Sequence, residues 1–343
     1  MVTTAARGGR SKAAIHSPTK KRRPARATVK SGTPNPDAAN AEAAELATIY
    51  DYVRFAAARL KQARVAFAHG TTDPVAEAAF LVGEAMNLHP DEVEPNAARR
   101  VPKAAGQNIL DWVGQRIATR KPAAYLVNRM YMRGLPFYVD ERVIVPRSFI
   151  GEIIDSHFGH DDVLRLRDPV TITRVLDLCT GSGCLAILAA RAFPNARVDA
   201  ADLSKDALAV AARNVREHGL EKRITLLQGD LFAALRDQRY DLIISNPPYV
   251  DAKGMAGLPR ECLAEPRMAF DGGADGIDLV RRIIDGAKAH LAPGGGLLCE
   301  VGRCKPVIEK AYPGAEFLWL DTEESEGEVF WIEAARLADV ASA

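Results

Sequence analysis

The sequence predicts an α/β protein: a doubly wound, mostly parallel sheet preceded by a small all-helical domain. Three observations carry this. From residue 174 onward, short apolar runs alternate with stretches of helical periodicity, the pattern of a parallel sheet with helices on both faces and ligands at the carboxyl ends of its strands. The first of these strands runs directly into the glycine-bearing loop 177-DLCTGSGC-184. The last two strands are separated only by residues 321–327, too few for a crossover helix, so they are expected to pair antiparallel.

The chain has 343 residues, 48% of them apolar, and a formal net charge of +1. That length allows one substantial α/β domain and a smaller partner. The near-neutral total hides an asymmetry. Residues 1–36 hold nine Lys or Arg and no acid, and subtracting these from +1 leaves −8 for the rest. Residues 1–40 hold almost no large apolar groups and are expected to be a disordered basic tail, because they cannot bury enough surface to offset the entropy of ordering. The block 20-KKRRPAR-26 attracts nucleic acid or an acidic surface by charge alone, and a solubilising tail is the alternative. No apolar run approaches membrane-spanning length and no secretory signal core is present, which points to a cytoplasmic protein. A mitochondrial transit peptide is the other reading of the acid-free leader.

Residues 41–121 read as a helical domain. Leu46, Ile49, Tyr50, Val53 and Ala57 recur at helical spacing, and Asp73-Pro74 starts a second helix carrying Ala79, Phe80, Val82 and Met86. A third holds Ile109, Leu110, Trp112, Val113 and Ile117. Residues 122–150 read as a β-hairpin or extended linker, with a helix starting near 148, and 151–337 as the catalytic domain. Within the latter the expected strands are 174–178, 197–202, 223–229, 240–245, 296–301, 315–320 and 328–332, with helices over 183–193, 204–218, 276–290 and 305–312. The five cysteines include two C-x4-C pairs, Cys179/Cys184 and Cys299/Cys304, with no histidine beside them. Packed, reduced thiols and no metal are expected. His157 and His160 read as surface residues near a helix end.

Gly181 and Gly183 let backbone approach a ligand at the start of a helix. Alone, Gly181-x-Gly183-x-x-Ala186 also fits a dinucleotide fingerprint, which keeps a nicotinamide or flavin enzyme open. Asp177, four residues before Gly181, suits a cationic methionine portion of S-adenosylmethionine, reached directly or through water. Asp202 closes the second strand, where a carboxylate accepts ribose hydroxyls or caps the next helix. Asp230 follows the third strand, placed to reach an adenine amino group while Leu231 packs on the ring; simple strand termination is the alternative.

The fourth strand ends in 246-NPPY-249. Asn246 offers a side-chain carbonyl and Pro247 a backbone carbonyl, enough to accept both hydrogens of an NH2 group. Pro247 and Pro248 remove two donors and fix φ, so these acceptors stay unsatisfied and preorganised, and Tyr249 supplies an aromatic wall.

These residues resemble class I S-adenosylmethionine-dependent methyltransferases. Segments 137-FYVDERVIVPRS-148, 177-DLCTGSGC-184, 240-YDLIISNPPYVD-251, 255-MAGLPRECLAEP-266 and 299-CEVG-302 are similar to those of the ribosomal protein glutamine N5-methyltransferases. That resemblance covers about residues 50–335 and implies a Rossmann-like, seven-stranded sheet with an antiparallel terminal strand. It implies a cofactor site for S-adenosylmethionine formed by the loop Cys179, Thr180, Gly181, Ser182 and Gly183, with Asp202, Leu231 and Asn246; Asp177, Leu203 and Asp230 are expected beside it. It also implies a glutamine site at Asn246, Pro247, Pro248 and Tyr249. Related release-factor enzymes often carry Trp where this chain has Leu231. The implied partner is a large-subunit ribosomal protein, expected to be gripped by the helical domain; the basic tail lies outside the resemblance, and weak ribosomal RNA contact through it is a separate expectation. The rivals are glutamine methylation of release factors and amino methylation of nucleic acid, although no basic, aromatic-rich target-reading insert is evident near the corner.

Overall fold

The computed structural model describes residues 45–67, 69–71, 73–158, 166–235 and 237–337. The basic tail and His160 lie outside the described residues.

Helix α1 (Ile49–Gln62) begins at Thr48, whose hydroxyl accepts the Asp51 N–H while the Asp51 carboxylate accepts the Thr48 N–H, a reciprocal cap. Its buried stripe is Ile49, Tyr52, Ala56 and Leu60, whereas Tyr50, expected on that stripe, is 55% exposed. One residue turns a helix by about 100°, so Tyr50 falls off the face that Ile49 and Tyr52 share. Helix α2 (Pro74–Met86) starts at Asp73 as expected, its Oδ1 accepting the Val75 and Ala76 N–H groups. With α3 (Pro90–Val93) and α4 (Lys103–Thr119) it closes a core around Leu60, Leu81, Ile109 and Val113. Arg116, wholly buried on α4, donates from Nε to Glu77 Oε1 at 2.8 Å.

The linker differs from a plain hairpin. Ala123–Val127 forms helix α5 directly after Pro122 and stops at Asn128 in the left-handed conformation, proline before and a left-handed residue after being ordinary helix limits. Strands β1 (Met130–Met132) and β2 (Leu135–Phe137) then pair antiparallel around Arg133 and Gly134, whose φ values are 49° and 74°. Two positive φ values give the two-residue turn that matches strand twist.

Helix α6 (Ile150–His157) leads into β3 (Arg174–Leu178), α7 (Cys184–Ala192), β4 (Arg197–Asp202), α8 (Lys205–Glu217), β5 (Ile224–Gln228) and β6 (Tyr240–Ser245). The chain continues through α9 (Ala252–Ala256), α10 (Asp278–His290), β7 (Leu291–Glu300), α11 (Lys305–Ala311), β8 (Leu318–Leu320), β9 (Val329–Glu333) and α12 (Ala334–Leu337). The strands lie in the order β5-β4-β3-β6-β7-β9-β8. The first five are parallel, and β9 runs antiparallel between β7 and β8. The short link, residues 321–328 in the structure, therefore does what its length demands. Strand β7 starts before the expected Gly296 and passes through Pro293 and three glycines, with a register shift opposite Tyr240 and Leu242, where a proline and glycines are tolerated at a bulge.

Alternation along the strands feeds two cores. Val175, Leu242, Ile244 and Leu298 pack with α6, α7 and α8 on one face. Leu176, Leu178, Ile243 and Leu297 pack with α10 and α11 on the other. Both faces are covered, which is why these strands are almost continuously apolar. Among the described residues no helix is long and apolar enough to cross a membrane.

Candidate active site

At the carboxyl end of β3 the backbone turns sharply into α7, with φ of 59° at Cys179, 55° at Gly181 and 81° at Gly183. The Thr180 N–H bonds the Ala201 carbonyl and the Gly183 N–H bonds the Thr180 carbonyl. Asp177 lies beneath this loop, its Oδ2 accepting from Thr180 Oγ1 at 2.5 Å and the Ala186 N–H at 3.0 Å. Its Oδ1 is buried without a partner among the described residues, and burial lifts its pKa to about 7.

Asp202 accepts the Gly181 N–H on Oδ2 and the Ser204 N–H on Oδ1, each at 2.8 Å. The cap of α8 is Ser204, which accepts the Ala207 N–H, so Asp202 is released from that duty. Each of its oxygens keeps a lone pair for a ligand hydroxyl. Burial raises its pKa. Asp230 is paired with Arg282 at 2.9 Å. Leu231 is buried at φ 51°, a strained conformation for a side-chain-bearing residue of the kind that collects at ligand sites.

Two cavities open at these strand ends. One of about 120 Å³ is lined by Asp202, Leu203, Asp230, Leu231 and Pro248 among others, and its neighbour of about 290 Å³ by Arg147, Thr180, Ser182, Pro247, Tyr249 and Phe270 among others. Cys179, Gly181 and Asn246 line both. Every expected site residue thus borders a cavity except Asp177, which braces the loop from below, and Gly183, which caps α7. The smaller cavity combines apolar walls with carboxylates at its edge, a set that fits a nucleoside. Asp177 lies outside both cavities, so it favours a cationic group above the loop by its charge and not by contact.

At the junction, Asn246 Nδ2 donates to the Arg147 carbonyl at 3.2 Å. This leaves Oδ1 as the acceptor turned from that bond. Neither it nor the Pro247 carbonyl has a donor among the described residues. Beyond the prolines, the Val250 N–H bonds the Phe270 carbonyl at 2.8 Å and the Val250 carbonyl accepts the Gly272 N–H at 2.9 Å, fixing the far side of the corner.

Sequence reasoning did not single out three residues that support this corner: Arg147, Glu265 and Glu300. Each lies inside a segment similar to the family, but a lone charged residue carries no local sign of what it will face across the fold.

Residues 163–265 match the family model described as Methyltransferase small domain. The chain is 65% identical over 308 residues to a ribosomal protein uL3 glutamine methyltransferase of Bradyrhizobium diazoefficiens, covering 89% of this chain and 97% of that one. It is 49% identical over 301 residues to the protein of the same name in Burkholderia pseudomallei, covering 86% and 97%, and 47% identical over 293 residues to that of Bordetella pertussis, covering 85% and 97%. Identity at this level over nearly the full length of such relatives agrees with the sheet order and the loop after its first strand: the chain belongs to the family of ribosomal protein uL3 glutamine methyltransferases.

Proposed function

We propose that this enzyme transfers a methyl group from S-adenosylmethionine to the side-chain amide nitrogen of a glutamine in ribosomal protein uL3, with the helical segment 41–121 gripping the substrate protein. The observation that carries the reading is the Asn246 amide, pinned through Nδ2 to the Arg147 carbonyl at the junction of the two cavities.

Asp202, Leu203, Asp230, Leu231 and the loop Cys179–Gly183 would hold the adenosyl portion, with Asp177 below the loop favouring positive charge. S-adenosylmethionine supplies an electrophilic methyl carbon on a sulfonium and departs as a neutral thioether. The larger cavity, walled by Tyr249, would receive the glutamine side chain. An amide nitrogen is a poor nucleophile because its lone pair is delocalised into the carbonyl. Asn246 Oδ1 and the Pro247 carbonyl, by accepting its two N–H groups, aim the lone pair at the methyl carbon. As the new N–C bond forms, positive charge grows on nitrogen and both hydrogen bonds strengthen, so they stabilise the transition state more than the ground state. The Pro247-Pro248 pair keeps these acceptors free of internal donors. Alignment of the reacting atoms supplies much of the remaining acceleration. One proton passes from the nitrogen to water during or after transfer, since neither carbonyl oxygen is basic enough to keep it.

Purified uL3, a release factor, RNA and DNA are each incubated with the enzyme and methyl-labelled cofactor. Label on a uL3 glutamine is expected. Label confined to the release factor or to nucleic acid would overturn the assignment.

A further inference from the structure

Glu265 follows the turn Arg260–Ala264, is buried, and lines neither cavity. Its Oε1 accepts the Val145 N–H at 2.8 Å and Arg147 Nη1 at 3.2 Å. Its Oε2 faces Arg147 Nη2 at 3.2 Å and His69 Nε2 at 3.0 Å. Burial pushes its pKa up, but the bonds from His69 and Arg147 outweigh this and hold it below the usual carboxylate value. The anion therefore draws together the linker before α6 and the loop between α1 and α2. Arg147 is gripped as a two-pronged fork, a geometry with directional as well as electrostatic strength. Its guanidinium also lies over the Phe270 ring at 5.6 Å, and the Phe270 carbonyl holds Val250 just past the Pro-Pro corner.

Everything that Glu265 fixes at Val145 and Arg147 bears on one carbonyl, that of Arg147, which receives Asn246 Nδ2. A carboxamide has two nearly isosteric ends. If that carbonyl moves away, the amide can turn over and present N–H to a substrate N–H, which is repulsive. We propose that Glu265 is a positioning residue for Asn246: through Arg147 it fixes the carbonyl that orients the Asn246 amide, and through His69 it makes that orientation depend on the seating of the helical segment. This rests on the role given to Asn246 above.

Glu265→Gln tests it, because each side of the carboxylate faces an arginine N–H and the new amide must turn its own N–H toward one of them. Turnover and cofactor Kd are measured for Glu265→Gln, Asn246→Ala and the double variant. Expected is a fall in kcat of about 10- to 100-fold for Glu265→Gln, the scale of a misplaced reacting group, with cofactor Kd changed less than about threefold. In the Asn246→Ala background the same substitution should add less than about threefold, since both act through one amide. A kcat within about twofold of wild type for Glu265→Gln, or losses that multiply in the double variant, would overturn the inference while leaving the role of Asn246 standing. Full turnover by Asn246→Ala would overturn both. Should Glu265→Gln not fold, Arg147→Lys, which keeps the charge and loses the fork, takes its place in the same cycle with the same expected and opposing results.

Discussion

The Tyr249 hydroxyl donates to Glu300 Oε1 at 3.1 Å, and Glu300 is itself wholly enclosed. Its other oxygen accepts Ser148 Oγ at 2.7 Å and the Phe149 N–H at 2.9 Å. One carboxylate from the end of β7 thereby joins the aromatic wall of the larger cavity to the segment that follows Arg147. Burial raises its pKa to about 7, against the hydrogen bonds from Ser148, Phe149 and Tyr249 that favour the anion, with Glu328 adding a further upward push.

The sign of the resulting pH dependence follows. An acid whose folded pKa is raised binds a proton more tightly in the native state, so its contribution to stability is fully present below the ordinary carboxylate pKa and is lost as pH rises through about 7. A glutamine can keep its carbonyl toward Ser148 and Phe149 and donate to the Tyr249 oxygen, avoiding that cost. Glu300→Gln should therefore gain stability relative to wild type between about pH 4.5 and 7.5, by up to about 3 kcal/mol. Urea unfolding at a series of pH values checks this, and a difference independent of pH would refute it.

Gly302 lies close against the Tyr249 ring. Its φ is 51°, and a Cβ there would lie 2.6 Å from Tyr249 Cε2. Gly302→Ala should push the ring into the cavity, lowering kcat by about tenfold and stability by about 1–2 kcal/mol. Activity and melting measured on the same preparation test the pairing; unchanged turnover in a folded variant would mean that the ring position is immaterial.

How much of this was legible in the sequence depended on the range of the interaction. Strands 174–178, 197–202 and 240–245 appear with the expected limits because apolar runs and their boundaries are local signals. The Asp73 cap was legible for the same reason. The face of α1 was harder, since Tyr50 is apolar enough to count toward a stripe and only packing decides which stripe is buried. The strand through Pro293 and Gly294–Gly296 was hidden because such residues ordinarily read as a loop. At the cavities, the loop Cys179–Gly183 and the corner Asn246–Tyr249 are runs of consecutive residues and so local signals. Glu265 and Glu300 instead act through partners at Arg147, His69 and Ser148, separated by 118, 196 and 152 positions, and nothing in a single sequence pairs them.

The Arg116–Glu77 pair is a second relationship of that long-range kind. Arg116 Nε and Nη2 contact Glu77, while Nη1 and Nη2 also donate to the Arg120 and Ala66 carbonyls. Burial pushes the Glu77 pKa up despite the neighbouring guanidinium, so the ionised pair is held against a desolvation cost. Removing one partner strands the other: Arg116→Ala should lose about 3–5 kcal/mol, whereas Arg116→Met with Glu77→Leu should recover part of that loss, staying below wild type because the Arg120 and Ala66 carbonyls lose their donor. Denaturant midpoints of the three proteins decide this, and a double variant as weak as the single one would show that the pair is needed for stability.

Asn214, wholly buried on α8, binds the linker to the loop between β3 and α7. Its Oδ1 accepts the Tyr138 N–H at 2.8 Å, and Nδ2 donates to the Tyr138 carbonyl at 3.0 Å and the Ser182 carbonyl at 2.8 Å. Asn214→Ala leaves three backbone groups without their partner and should cost about 3 kcal/mol. It should also loosen the turn at Ser182 and Gly183, weakening cofactor binding. Asn214→Asp separates packing from hydrogen bonding, because it preserves volume and the acceptor for Tyr138 while setting oxygen against two carbonyl oxygens. A buried carboxyl in that place can relieve only one of these contacts by keeping a proton, so Asp should be at least as damaging as Ala, and more so as pH rises above the ordinary carboxylate range. Unfolding and cofactor titration of both variants at two pH values provide the check: if Asp is tolerated better than Ala at high pH, shape and not donor polarity is what holds the linker to the loop.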